Sequence, residues 1–255
     1  MVRAKPLSRQ DIEEGLRLLG LGRGDATEVH SSLSSFGQVA GGAPTVVDAL
    51  MNVVGPEGAL VMSAYPLTPA LPLTEEEKAR GMAWKVRKLA EDSRERTGMG
   101  AIADEFRARP GVVCGTGLHR VCAWGRDALL HSQGYQRLLD SDGWALLLGV
   151  DINRCSSMHA AEQAGIPDRI AKLTQVPEDI RRDYPADTWE VGYGSTPDDA
   201  WAKVWEQAER QGLIRKRRIG QAQCMLFRAK AVVSIYAELL RTDPFALFGV
   251  KQEQR

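Results

Sequence analysis

The chain has 255 residues, 44% of them hydrophobic, enough to bury a substantial core as one large α/β domain or a domain with a modest insertion. Its 33 basic residues balance 33 acidic ones, so no global field draws it to nucleic acid or to an anionic membrane, and neither is expected as a partner. The opening MVRAKPLSRQDIEEGL lacks an apolar h-region, and no run approaches the ~18 to 20 apolar residues that span a bilayer, which points to a soluble cytoplasmic protein.

Ser8 to Leu19 reads as a capped helix, with Ser8 as N-cap, apolar Ile12, Leu16, Leu18 and Leu19 behind it, and Gly20 and Gly22 closing it. An apolar approach ending at Val29 then runs through His30, Ser31, Ser32, Leu33, Ser34 and Ser35 into a loop bearing Gly37, Gly41 and Gly42. Thr45 can cap the next helix, where Val46, Val47, Leu50, Met51 and Val54 recur at helical spacing before Gly55-Pro56 stops it. Ala59 to Ala64 reads as a buried strand. Such a strand-loop-helix-strand unit presents backbone N–H groups, hydroxyls and a positive helix end at the strand's carboxyl edge, where phosphate-bearing ligands sit in open α/β sheets. The loop has neither the Gly-Lys-Ser/Thr of a P-loop nor the spaced glycines of a dinucleotide fingerprint, and plain turn chemistry is its competing reading.

From 67 to 96 the composition shifts to a Pro- and Leu-bearing loop and then TEEEKARGMAWKVRKLAEDSRER, expected to be a solvated helix. Thr97-Gly98-Met99-Gly100 opens a further helix that stops at Arg109-Pro110-Gly111. Val112 and Val113 begin a strand and Val121 to Ala123 form another. The segment HSQGYQRLLDSDG reads as a loop or short helix in which His131 has no assigned role. Ala145 to Val150 is a continuous apolar run, the mark of a strand covered on both faces. Asp151, Asn153 and Arg154 then make a polar turn, and Ser156 or Ser157 caps a helix carrying Met158 to Glu162. His159 and Glu162 stand on one face of it, at the mouth of the strand. An imidazole with a carboxylate to orient it suits a general base, with Asp151 as the alternative partner.

The last third is architectural. Pro167 to Pro185 is charged and loop-like, and TWEVGYGS at 188–195 reads as a strand with a Gly-rich turn, added antiparallel. Asp198 to Gln211 is a helix with Trp201, Val204, Trp205 and Ala208 as its core stripe. Ile214 to Gly220 is a basic, solvated strand edge, Ala222 to Phe227 its partner strand, and Ala229 to Leu240 a helix ended by Thr242-Asp243-Pro244. Cys114, Cys122, Cys155 and Cys224 show neither C-x-x-C spacing nor a regular framework, so reduced thiols and no metal site are expected.

The motifs V-H-S-S-L with its following glycines, T-G-M-G, R-P-G, A-W-G, L-L-L-G-V-D-x-N-x-x-S-S-M-H-x-A-E and G-x-A-x-x-x-L-F-R-A-K stand here in one order. By them the chain resembles the aminoglycoside 3-N-acetyltransferase, or antibiotic N-acetyltransferase, family over nearly its whole length, least in 67–96 and 126–142. The resemblance implies a single domain over 1–255 with a three-layer α/β/α core, a mixed, partly antiparallel sheet and a variable substrate-side segment around 67–96. It also implies acetyl-coenzyme A as cosubstrate, no metal, and a monomer or homodimer acting on a small amine. In that family the first motif binds coenzyme A, which puts His30, Ser31, Ser32 and Leu33 at the cofactor, together with Phe36, Gly41 and Gly42. For His30 a packing role is the bland alternative. The histidine of the long motif is the family's proposed base, so His159, supported by Glu162 or Asp151, falls at the chemistry. Tyr65, His119 and Ser157 fall on the acceptor side, His119 matching a family His-Pro motif without its proline.

The implied reaction is acetyl transfer to the 3-amino group of an aminoglycoside antibiotic, conferring resistance. A polycationic acceptor calls for carboxylates, for which Glu75, Glu76, Asp92, Asp187, Asp198 and Asp199 are candidates. The alternatives are a same-fold acetyltransferase acting on another amine in biosynthesis, a coenzyme A-binding protein without turnover, and a serine hydrolase using Ser31 to Ser35, for which the G-x-S-x-G elbow is missing.

Overall fold

The computed structural model describes residues 5–116, 120–162, 165–194 and 200–251; His119, Asp198 and Asp199, singled out above, lie outside them. Helix α1 (Arg9–Leu19) starts as its sequence dictates: the Ser8 hydroxyl accepts from the Asp11 N–H while the Asp11 carboxylate accepts from the Ser8 N–H at 2.8 Å. Strand β1 (Ala26–Ser31) leads through a 3₁₀ turn, Leu33–Phe36, to α2 (Ala43–Val54) and β2 (Ala59–Ser63). Helix α2 begins ahead of the expected Thr45 cap, because Gly42 at φ 66° supplies the turn and Pro44 lies in the first helical turn. The Thr45 hydroxyl donates instead to the Ala40 carbonyl at 2.6 Å.

The 67–96 stretch corrects the sequence reading. Its helix α3 is confined to Glu75–Ala79, and Met82–Arg87 forms β3, which pairs antiparallel with β7 (Trp189–Tyr193) in a separate two-stranded sheet. Met82, Trp84 and Val86 alternate with Ala83, Lys85 and Arg87, a period of two that charge obscures.

The chain continues through α4 (Ala101–Arg107), β4 (Val113–Cys114), β5 (Val121–Gly125), α5 (Ala128–His131), α6 (Gln136–Asp140) and β6 (Trp144–Leu148). After β6 come 3₁₀ turns at Ile152–Arg154 and Ser156–Met158, then α7 (His159–Glu162), α8 (Asp168–Ala171) and α9 (Glu178–Asp183). The end is α10 (Ala200–Arg210), β8 (Arg215–Ile219), β9 (Ala222–Arg228), α11 (Ala229–Thr242) and α12 (Pro244–Leu247).

Seven strands make the main sheet, in the order β4-β5-β2-β1-β6-β9-β8. Strands β2, β1 and β6 run parallel at its centre, and every other neighbour is antiparallel. On one face Val29, Leu60, Met62, Leu146 and Leu148 pack against Ile12 and Leu16 of α1, Val46 and Leu50 of α2 and Ile102 and Phe106 of α4. On the other Ala145, Leu147, Met225 and Phe227 meet Val204 of α10 and Val232 and Tyr236 of α11. The result is the three-layer α/β/α core with a mixed sheet that the motifs implied. Because β2, β1 and β6 are parallel, their carboxyl ends, Ser63, Ser31 and Leu148, reach one edge together, the usual location of a ligand crevice.

Cys114 and Cys122 oppose each other across β4 and β5 and form a disulfide, which corrects the expectation of four reduced thiols. Their spacing says nothing until the antiparallel register places one against the other. Cys155 and Cys224 are free and buried. Among the described residues no helix is long and apolar enough to cross a membrane.

Candidate active site

At the shared carboxyl edge lies a cleft of about 920 Å³. Its floor is the end of β1 with the loop after it, His30 to Ser34, and one side is Gly149, Val150 and Asp151 beyond β6. The Ser32 N–H donates to the Leu148 carbonyl at 2.9 Å and ties these two strand ends together. Gly42 at the start of α2, Gly98 to Ala101 before and into α4, Ser63, Tyr65 and Ser156 complete the walls, with Arg96 and Arg154 as its cations. Gly149 takes φ 68°, and a Cβ there would collide with the Ser35 hydroxyl, so only glycine leaves this corner open.

Past Ser156, His159 opens α7. Its Nδ1 lies 2.8 Å from Oε2 of Glu162, and Oε1 of Glu162 accepts from the Tyr236 hydroxyl at 3.0 Å. The imidazole rests edge-on against Trp201, with ring centroids 5.0 Å apart, and Trp201 in turn meets Tyr236 at 6.2 Å. Burial and the Glu162 carboxylate push the Tyr236 phenol up, which keeps it a donor. The His159 side chain is 40% exposed. A ring anchored on one nitrogen and one edge, yet open to solvent, can exchange a proton in a fixed orientation.

Beneath the cleft floor is a buried polar cluster. Glu28 and Ser157 have no exposure and His30 has 8%. Oε1 of Glu28 accepts from the Ser157 hydroxyl and from the Cys155 thiol at 3.2 Å, and Oε2 lies 3.3 Å from Nε2 of His30. The Ser156 N–H donates to that same His30 nitrogen at 3.3 Å. The Ser156 hydroxyl meets Ser63 at 3.1 Å, and Ser63 meets the Tyr135 hydroxyl at 2.8 Å. Burial and the Glu28 carboxylate push the Cys155 thiol well up, so it is a donor here and no nucleophile. Glu28, His30 and Cys155 are of metal-ligand type, all buried, with their ligand atoms within 4.8 Å of one another.

The sequence-derived residues divide accordingly. His30, Ser31, Ser32, Leu33, Gly42, Tyr65 and Asp151 line the cleft. Gly41, at φ 81°, belongs to the turn just before Gly42. Phe36 does not line it: the side chain is 1% exposed and forms part of the core below the loop. Ser157, expected beside the acceptor, is buried against Glu28, and Ser156 takes the cleft position. His159 and Glu162 pair one step beyond the cleft lining, and the carboxylate against Nδ1 is that of Glu162; Asp151 lies on the preceding turn. Tyr65 is half-buried, and burial and Glu190 push its phenol up to about 12. Ser63, Gly149, Arg96 and Arg154 were not singled out for the site by sequence. A serine ending the otherwise apolar strand ALVMS, and an arginine within the long motif, were the signals available.

A family model described as aminoglycoside 3-N-acetyltransferase matches residues 29–241. The chain is 29% identical over 258 residues to aminoglycoside N(3)-acetyltransferase III of Salmonella sp, covering 89% of each. It is 28% identical over 246 residues to the SPbeta prophage-derived aminoglycoside N(3')-acetyltransferase-like protein YokD of Bacillus subtilis (strain 168), covering 87% of this chain and 88% of that one. Its fold superimposes on the binary complex of AAC-IIIb with CoASH with a TM-score of 0.67 at 21% identity, over 93% of this chain and 97% of the other.

Proposed function

The chain belongs to the aminoglycoside 3-N-acetyltransferase family, and we propose that it moves the acetyl group of acetyl-coenzyme A onto the 3-amino group of an aminoglycoside, with His159 as the base. The observation that carries this is the His159–Glu162–Tyr236 relay, fixed at 2.8 and 3.0 Å beside the mouth of the parallel strands. With Nδ1 held by Glu162, proton chemistry falls to Nε2. An amine arriving as an ammonium has no lone pair; a neutral imidazole takes its proton as the nitrogen closes on the acyl carbon, and Glu162 stabilises the imidazolium that results. Free coenzyme A leaves with the amide formed.

The cleft suits the cosubstrate. Acetyl-coenzyme A supplies the activated thioester, and its phosphates call for cations and N–H donors. Arg96, Arg154 and the amino-terminal end of α2 at Gly42, all in the lining, provide these. Leu33, Val39 and Met99 offer apolar surface for the pantetheine arm. The Ser156 hydroxyl, set by Ser63, faces the cleft where a developing oxyanion needs a donor.

A second reading has one observation in its favour. Among the described residues lining the cleft, Asp151 is the acid set against Arg96 and Arg154, a poor match for a polycation. Glu75, by contrast, is exposed and paired with Lys78. That balance favours an acceptor amine of lower charge, handled by the same base. Thiol release from acetyl-coenzyme A, measured across aminoglycosides with and without a free 3-amino group and with simple polyamines alongside, separates the two. Release that requires the 3-amino group supports the first reading, and release with other amines only supports the second. In either case His159→Gln is expected to lower turnover by ~10² to 10⁴ while coenzyme A still binds. Undiminished turnover in that variant removes His159 from the mechanism.

A further inference from the structure

The mechanism above leaves Glu28 unused, although it is a carboxylate with no solvent exposure in the middle of a parallel sheet. Burial of such a group is costly unless donors surround it. Its donors are Cys155 and Ser157, and the residue between these two, Ser156, donates its N–H to the adjacent His30. Three consecutive residues of one turn therefore reach back to two residues of β1, three positions of attachment for a segment built of short 3₁₀ turns. The next residue but one is His159, and Ser156 itself faces the cleft.

We propose that Glu28 is a positioning residue, its buried carboxylate clamping the Cys155–Ser157 turn onto β1 and so fixing both the Ser156 hydroxyl and the start of α7 that carries His159. The role of the turn in turnover rests on the reading of His159 as base; the clamp itself does not. Each of its bonds is replaceable in a graded way. Gln at position 28 keeps a carbonyl oxygen that accepts from Ser157 and Cys155. Met keeps the volume and accepts nothing of comparable strength. Ser157→Ala removes one donor and leaves the carboxylate in place.

Two measurements on the full chain test this. Hydrogen exchange of the 155–162 amides is expected to accelerate at least tenfold in Glu28→Met, to change little in Glu28→Gln, and to stay unchanged in strands β2 and β9 in both variants. In steady-state kinetics Glu28→Met is expected to lower kcat by ~100-fold, the usual penalty for displacing a catalytic group by about an ångström. Coenzyme A affinity should move less than threefold, and Glu28→Gln should restore most of the rate. Leu138→Ala, a core truncation elsewhere on the same face, controls for simple loss of stability and should leave kcat unchanged below its melting temperature. If Glu28→Met fails to fold, Ser157→Ala carries the same expectations at smaller size, and Ser157→Ala made in Glu28→Gln should cost less than the sum of the two. Exchange at 155–162 that matches wild type overturns the clamp, whatever the turnover. Accelerated exchange in a protein whose wild type transfers no acetyl group to any amine leaves the clamp standing and removes the acetyltransferase reading instead. Loss of coenzyme A binding in parallel with kcat, without rescue by Gln, overturns positioning in favour of general destabilisation.

Discussion

Glu77 takes the Lys85 ammonium at 2.5 Å and the Tyr184 hydroxyl on one oxygen, and the Thr74 N–H at 2.7 Å on the other. Like Glu28 and Glu162 it is a carboxylate made tolerable by several donors. It faces the full positive charge of Lys85, and the Lys85 bond, then Tyr184 and Thr74, hold its carboxyl down to about 2 from an ordinary 4.5. A depressed carboxyl contributes stability that is fully present above its unfolded pKa and is lost as the pH falls through the folded one. Glu77→Gln is therefore expected to have a lower urea midpoint than wild type at neutral pH. The gap should narrow only once the pH drops below about 4.5 and close near about 2. A gap independent of pH across that window means the carboxylate charge is not what the site uses. Tyr184, its phenol pushed up to about 12 first by the Glu77 bond, stays a donor throughout.

Elements differ in how much of their cause is local. Helix α1 carries its own start, the Ser8–Asp11 capping box, and its own face, Ile12, Leu16 and Leu19, so it was legible before any tertiary contact was known. Ser8→Ala should cost about 1 kcal/mol, or roughly 2 to 4 °C in Tm for a chain of this size; an unchanged melting temperature shows that packing alone holds the helix start. Strand β6, apolar on every residue, was legible for the same local reason. Strand β3 was not, because the period of two in MAWKVR is short and framed by charge, and its partner β7 lies about a hundred residues on. The disulfide was hidden likewise: Cys114 and Cys122 signify only through the register of β4 on β5.

The molecule as a whole has no net charge, so recognition of an anion must come from how charge is distributed. The segment order placed Ser31, Ser32, Leu33 and Asp151 at one edge correctly, since a βαβ crossover forces parallel strand ends together. What sequence could not supply were partners brought in from other elements: Ser63 from β2, Arg96 from the segment expected to be solvated helix, and Glu28 under the His159 turn. Arg96 and Arg154 both line the cleft although 58 positions separate them in the chain. Their convergence has a global consequence, because a ligand that binds only the folded state raises its stability by mass action. At about a hundredfold excess over Kd the gain is ~2.7 kcal/mol, or roughly 5 to 10 °C in Tm. Coenzyme A is expected to give a shift of that size and pantetheine, which has no phosphates, much less at the same concentration. The double variant Arg96→Gln with Arg154→Gln should shrink the coenzyme A shift toward that of pantetheine and leave the pantetheine shift alone, and added salt should do the same to wild type. Equal shifts for the two ligands in wild type, or an undiminished coenzyme A shift in the double variant, would place the phosphates outside this cleft and leave the two arginines as surface charges.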